Sequence, residues 1–260
     1  MKPLKLRIDI NCDLGESYGY FKVGQDAQVM PHITSANVAC GFHAGDPVTM
    51  AHTVELAQKC GVAVGAHPGY PDLMGFGRRA MKLSTEETKS YIMYQIGALQ
   101  AFAKASSISL QHVKPHGALY NMATRDRDLS KSIAEAIHSV DSELMVVAPP
   151  NSAMVKIASE MGLHAALEAF ADRAYNSDGT LVSRSRAHSL ITDPRCVVER
   201  AKRMIEKGTV QAIDGEIVEL GEVHTICIHG DTSNAAEMAR TLKSRLLAAK
   251  IEVKPVGSFL

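Results

Sequence analysis

The sequence predicts an α/β fold, a single domain over residues 1–260 in which helices surround an irregular seven-stranded parallel barrel. Three observations predict it. Seven short apolar runs recur along the chain, capped helical patterns lie between them, and the residues capable of chemistry gather just after the runs. Alternation of strand and helix implies a parallel sheet with helices outside it. The length, 260 residues, is one at which α/β barrels commonly form a single domain. Seven units are one short of the eight-fold barrel, and a doubly wound open sheet is the competing arrangement.

The runs are Leu6–Asn11, Ser35–Cys40, Val62–Ala66, Gln111–Lys114, Leu144–Ala148, Ala165–Phe170 and Thr225–Ile228. Bounded by Gly, Pro and Asp, they suit strands buried on both faces. Asp46-Pro47 opens a helix that Gly61 closes, an N-cap followed by proline at the first position and a glycine at the end. Ser84-Thr85-Glu86-Glu87 is a capping box for a long amphipathic helix to about Ala105. Further helices run from Asn151 to Met161 before Gly162, from Asp193-Pro194 to Gly208, and from Asn234 to about Lys250. Val210–Ile213 and Ile217–Leu220 flank Asp214-Gly215 and predict a small β-hairpin insertion with a type I′ turn.

Composition excludes several classes. Lys plus Arg and Asp plus Glu each number 28, so no net charge favours nucleic acid or an anionic membrane. No apolar stretch is long enough to span a bilayer, and the N-terminus runs into strand-like sequence without a signal core. Five scattered cysteines without a C-x-x-C pair fit neither a disulfide scaffold nor a zinc ribbon. The expectation is a soluble, cytoplasmic, reduced protein.

The loops after the runs carry the chemistry. They read Asn11-Cys12-Asp13-Leu14-Gly15-Glu16, Cys40-Gly41-Phe42-His43-Ala44-Gly45-Asp46, Ala66-His67-Pro68-Gly69-Tyr70-Pro71-Asp72 with Gly75-Phe76-Gly77-Arg78-Arg79, Lys114-Pro115-His116-Gly117, Phe170-Ala171-Asp172-Arg173, and His229-Gly230-Asp231-Thr232. In parallel α/β folds such loops share the ligand-binding face. The helix-to-strand turns at Gly61, Gly162 and Gly208-Thr209 carry no such residues.

Each type has a structural counterpart. One histidine is readily a buried, hydrogen-bonded core residue, whereas four in equivalent positions are hard to explain that way. Asp46, before Pro47, suits a helix cap better than a catalyst. Asp13 and Glu16 lie beyond a buried strand, where unpaired carboxylates are costly, and fit a structural or a functional role equally. Cys12, Cys40 and Cys227 suit small apolar fillers, with Cys40 beside His43 as a nucleophilic alternative. Arg78 and Arg79 are an anion clamp or plain surface arginines. No Walker A loop and no G-x-G-x-x-G after the first strand occur. Asp13, His43 and His67 are candidate metal ligands without the spacing of a known metal motif.

Taken together, Asn11–Glu16, Asn37–Pro47, Gly65–Arg79, Val113–Asn121, Glu168–Tyr175 and His229–Thr232 resemble the LamB/YcsF family, in the family's order and over nearly the whole chain. The resemblance implies a seven-stranded barrel of the polysaccharide-deacetylase-like type. It also implies cleavage of 5-oxo-L-proline to L-glutamate coupled to ATP hydrolysis, in a complex with 5-oxoprolinase subunits B and C. A γ-lactam re-forms readily because its amine and carboxyl are held together, and phosphorylating the lactam oxygen would counter that. Lys114, Arg78 and Arg173 are the candidates for holding the phosphoryl group. His43, His67, Asp13 and Asp172 compete as acid or base. Arg79 or Arg173 is set to clamp the substrate carboxylate, and Asp231 or Glu16 to hold Mg²⁺ brought by ATP. His116 and His229 join the binding residues. Two alternatives remain: a metal-dependent amide hydrolase or deacetylase that needs no ATP, and a subunit that only docks other chains.

Overall fold

The computed structural model describes residues 6–230, 232 and 234–260. Its strands are β1 (Arg7–Leu14), β2 (Ser35–Ala39), β3 (Ala63–His67), β4 (Leu110–Val113), β5 (Met145–Ala148), β6 (Ala165–Phe170), β7 (Thr209–Gln211), β8 (Ile217–Glu219), β9 (Thr225–His229) and β10 (Glu252–Val253). Strands β1 to β6 pair in sequence order, β6 pairs β9, and β9 returns to β1, every pairing parallel. The seven strands therefore close a barrel, and the doubly wound open sheet is ruled out. The short β10 adds outside it, along the start of β1.

Around the barrel run α1 (Asp26–Val29), α2 (Pro47–Cys60), α3 (Thr85–Ala105), α4 (Gly117–Ala123), α5 (Arg127–Val140), α6 (Ala153–Glu160), α7 (Pro194–Lys207) and α8 (Ala235–Ala248). Local chemistry sets their ends. Asp46 accepts from the backbone N–H groups of Val48 and Thr49, both at 2.9 Å, and Gly61 ends α2 in the left-handed conformation. Ser84 and Glu87 form the capping box of α3, Asp193 caps α7 and Gly208 ends it. Two helices, α4 and α5, lie between residues 117 and 140, where no element was expected from the sequence; Asp126 caps α5, which packs on α3 and α6.

Two expectations need correction. The hairpin forms from β7 and β8, but without a type I′ turn, which needs positive φ at both central residues. The Gly215 N–H donates to Ala212 O at 3.0 Å, so the central pair is Ile213-Asp214, and positive φ falls on Gly215 (95°) after it. The second concerns the barrel interior. The runs are buried on both faces, as expected, but the inward face is largely polar, with an apolar patch of Met145, Val147 and Ala166 against Val256. Ile8, Ile10, Cys12 and Leu14 point from β1 towards the helices and are at most 1% exposed. Their alternates Asp9, Asn11 and Asp13 join a polar network within the barrel, since successive strand side chains face opposite ways.

The polar part of that interior is hydrogen-bonded. Asp9 accepts from Thr34 and Ser35, each at 2.7 Å, and from Thr225. Asn11 donates to Glu168 at 2.9 Å and accepts from Asn37 at 2.7 Å. His112 Nε2 meets Asn37 Oδ1 at 2.6 Å, and its ring fills the place where a Cβ on Gly65 would sit, 2.2 Å away. Asp9, Asn11, Asn37 and His112 are tolerated there because they find partners; half-satisfied, such a network would cost more than an apolar core.

Candidate active site

At the C-terminal ends of the strands the network becomes charged. Register places Asp13 level with Asn37 and His229. Asp13 Oδ1 accepts from Lys114 Nζ at 3.0 Å and from Asn37 at 2.8 Å. Lys114 Nζ also lies 2.8 Å from Glu168 Oε1 and 3.1 Å from Cys227 Sγ, and Tyr120 donates to Glu168 Oε2 at 2.6 Å. Burial alone would pull the Lys114 ammonium down, but Asp13, Cys227 and Glu168 outweigh it and hold it well above the usual lysine value. Burial alone would likewise raise the Asp13 carboxyl; His67 and Lys114 reverse this and hold it well below the carboxylate range.

Three histidines flank this pair. His67 Nε2 is 3.4 Å from Asp13 Oδ2 and 2.9 Å from His116 Nδ1. His43 stacks on His116, centroids 3.7 Å apart and planes 4° apart. Its Nε2 lies 3.4 Å from Glu16 Oε1, which is also 3.7 Å from His116 Nδ1. Burial pushes the His43 and His116 imidazoles well below their ordinary value. Across the barrel mouth, His229 Nδ1 meets Asp172 Oδ2 at 2.8 Å and its ring stacks on Phe170.

A small inner pocket of about 40 Å³ is lined by Asp13, His67, Lys114, His116, His229 and Arg173, among others. It shares Arg78, Tyr120, Phe170 and Arg173 with an outer cleft of about 900 Å³, on whose walls Arg125 and Arg184 also lie. Carboxylates at the floor and arginines at the rim suit a ligand whose anionic end stays outermost. Arg173 donates to Val182 O at 2.6 Å, and burial brings its guanidinium down to about 10.

The predicted residues divide accordingly. Asp13, His67, Arg78, Lys114, His116, Arg173 and His229 line the inner pocket. His43 and Glu16 stand behind it, buried, and Asp172 contacts it through His229. Arg79 does not reach it: its guanidinium, 67% exposed, pairs with Asp72, which leaves Arg78 and Arg173 as arginines lining the inner pocket. Asp231 lies outside the described residues. Cys40 is buried, which keeps its thiol pKa high, about 12, and speaks against the nucleophilic alternative, while Cys227 is a contact of Lys114 and not only a filler. Sequence reasoning missed Asn11, Asn37, His112, Glu168 and Tyr120 as parts of the site. Their signal was alternation within the runs, as in Asp9-x-Asn11-x-Asp13 and His112-x-Lys114.

For a metal, the groups that converge are Glu16, His43, His67 and His116, whose ligand atoms all lie within 4.8 Å of one another, with Asp13, Cys227 and His229 as a second group. The expected trio of Asp13, His43 and His67 is not one of them.

A closed seven-stranded parallel barrel with its polar site at the strand ends places the chain in the polysaccharide-deacetylase-like class of folds. The catalytic domain of a peptidoglycan N-acetylglucosamine deacetylase from Eubacterium rectale shares this fold at 11% identity, with a TM-score of 0.50 over 98% of this chain and 90% of that one. Within that class, the chain belongs to the LamB/YcsF family, whose model matches residues 8–260. The A subunit of 5-oxoprolinase from Pyrococcus furiosus is 54% identical over 255 residues, 98% of this chain and 100% of its own. The crystal structure of a lactam utilization protein from Thermus thermophilus superposes with a TM-score of 0.89 at 48% identity, covering 95% of this chain and 99% of that one.

Proposed function

We propose that this chain is the A subunit of an ATP-dependent 5-oxoprolinase, a cytoplasmic hydrolase that opens 5-oxo-L-proline to L-glutamate together with subunits B and C. Its near-full-length identity to the P. furiosus protein carries the reading. The family match from residue 8 to the end supports one domain over residues 1–260. No described helix is long and apolar enough to cross a membrane.

The site supplies what the reaction asks for. Lys114, fixed by Asp13 and Glu168, is a preorganised positive charge at the pocket floor, where it can stabilise an oxyanion or a phosphoryl oxygen. Arg78 and Arg173 at the rim hold the γ-phosphoryl group of ATP or the substrate carboxylate. His229, its Nδ1 proton held by Asp172, takes a proton from water at Nε2 and returns it to the departing lactam nitrogen, with Asp13 and His67 lining the pocket beside it. Glu16 and Asp231 are the candidates for the Mg²⁺ that accompanies ATP.

The test is 5-oxoproline-dependent release of phosphate and glutamate by this chain, alone and with subunits B and C. Stoichiometric phosphate and glutamate from the reconstituted complex are expected; no product in either arrangement would overturn the proposal. The histidine–glutamate group favours a second reading, ATP-independent hydrolysis of an acetamide. It predicts acetate release from an N-acetyl sugar without nucleotide.

A further inference from the structure

We infer that Glu16, His43, His67 and His116 form a binding site for one divalent first-row transition-metal ion of the zinc type. The inference does not depend on which reaction the chain catalyses.

The hydrogen bonds of two rings carry the argument. His67 Nδ1 lies 2.6 Å from Lys114 O, and His116 Nε2 lies 2.9 Å from Phe76 O. A carbonyl can only accept, so both of these nitrogens carry protons. The opposite nitrogens, His67 Nε2 and His116 Nδ1, then present lone pairs to each other at 2.9 Å. Two facing lone pairs require something positive between or beside them. A shared proton would serve this pair alone and leave both buried ring nitrogens of His43 without a hydrogen-bond partner. A metal ion needs the neutral rings and uses both lone pairs. Ligating histidines commonly give their other N–H to a backbone carbonyl, as these two do.

His43 supplies an independent observation. It is fully buried, and neither ring nitrogen has a hydrogen-bond partner among the described residues. Its Nε2 lies 3.4 Å from Glu16 Oε1, and all four ligand atoms lie within 4.8 Å of one another. Four ligands at about 2.1 Å from one ion stand about 2.9 to 3.4 Å apart, depending on geometry. The contacts at 2.9, 3.4 and 3.7 Å approach this spacing, and the stacked rings of His43 and His116 must tilt to aim both lone pairs at one ion. Three imidazoles and one carboxylate favour zinc, iron, cobalt or nickel over magnesium or calcium.

The backbone is committed to this arrangement. Phe76 takes a left-handed conformation, φ 52°, which non-glycine residues adopt at a cost, and its carbonyl meets His116. Since His67 and His116 also line the inner pocket, an ion here would fix two rings of its wall.

The test is metal analysis of the purified full chain after dialysis against a weak chelator, followed by titration of the stripped chain with Co²⁺. Near one transition ion per chain, or uptake of one Co²⁺ with visible d–d absorption, is expected. Glu16→Gln and His43→Asn should each weaken Co²⁺ binding by at least about 10-fold. His229→Gln, in the neighbouring group, should leave it unchanged. A wild-type chain that neither retains an ion nor takes up Co²⁺ or Zn²⁺ at millimolar concentration overturns the inference, and this needs no variant to fold. Loss of binding in His229→Gln with binding kept in His43→Asn would move the ion to the Asp13–Cys227–His229 group and also overturn it.

Discussion

Asp172 Oδ2 accepts from both the Nδ1 and the backbone N–H of His229, at 2.8 and 3.1 Å. Burial alone would raise the Asp172 carboxyl, but His229 and Arg173 outweigh it and keep it below the usual range, so an ionised acceptor faces Nδ1. This fixes the proton on Nδ1 and leaves Nε2 as the nitrogen with a lone pair. Asp172→Asn can place an amide N–H against the ring and reverse the tautomer. We expect kcat to fall by about 10²- to 10⁴-fold, with a much smaller change in KM. Steady-state kinetics of the reconstituted complex checks this; a variant losing only substrate affinity would assign Asp172 to binding.

Lys114 is held on two sides by carboxylates that have little access to water. Replacing it with Met leaves Asp13 and Glu168 facing each other without their cation. Removing one partner of a buried ion pair costs about 3–5 kcal/mol, so Lys114→Met should lower stability by that order as well as abolish turnover. Urea denaturation measures the first. A Lys114→Met chain of wild-type stability would mean the carboxylates find another partner or a proton.

Asp9, at the far end of the barrel, gives a pH dependence of opposite sign to the site carboxylates. Burial raises it from 3.8 to about 6 against the hydroxyl donors that oppose the shift. A raised carboxyl is protonated in the folded chain while already ionised in the unfolded one. Its contribution is therefore greatest below pH 4, is lost as the pH rises from about 4 to 6, and is level above. The full loss is about 3 kcal/mol. Asp13 and Asp172, both lowered, act the other way: their contribution is present above pH 4 and lost as the pH falls further. Urea midpoints between pH 4 and 7 should decline less in Asp9→Asn than in wild type, and parallel curves would sink the assignment.

Much of the fold was legible because its signals are local. Asp46, Ser84 and Asp193 cap helices through their own side chains, and Gly61 and Gly208 end them. The gathering of His67, Lys114, His116 and His229 on one pocket follows from parallel topology, in which all strand ends share a face. The barrel interior was less legible. In runs of four to six residues, alternating Asn11, Asn37 and Glu168 look like interruptions of an apolar strand, and their partners lie up to 214 positions away, as for Asn11 and Thr225. Arg78 and Arg79 are neighbours of one type; only the position of Asp72, set by the turn at Leu73–Gly75, decides which guanidinium is drawn away from the pocket.

Two glycines should respond to alanine with opposite signs. Gly77 has φ 64°, and an added Cβ would lie 2.7 Å from both His116 Cδ2 and His43 Cβ. The stacked rings cannot yield without disturbing the contacts of His116 with Phe76 and His67, and the left-handed backbone adds strain of about 1–2 kcal/mol. Gly77→Ala should therefore destabilise the chain and impair turnover together. Gly97 lies within α3, exposed, with open space where a Cβ would go. There the methyl meets nothing, and alanine is favoured over glycine in a helix by about 0.5–1 kcal/mol. Gly97→Ala should raise the Tm by a few degrees with activity unchanged. Measuring both by thermal unfolding and turnover separates the effect of glycine's flexibility from that of space around the histidines. A tolerated Gly77→Ala would show that His43 and His116 can move apart without loss of function.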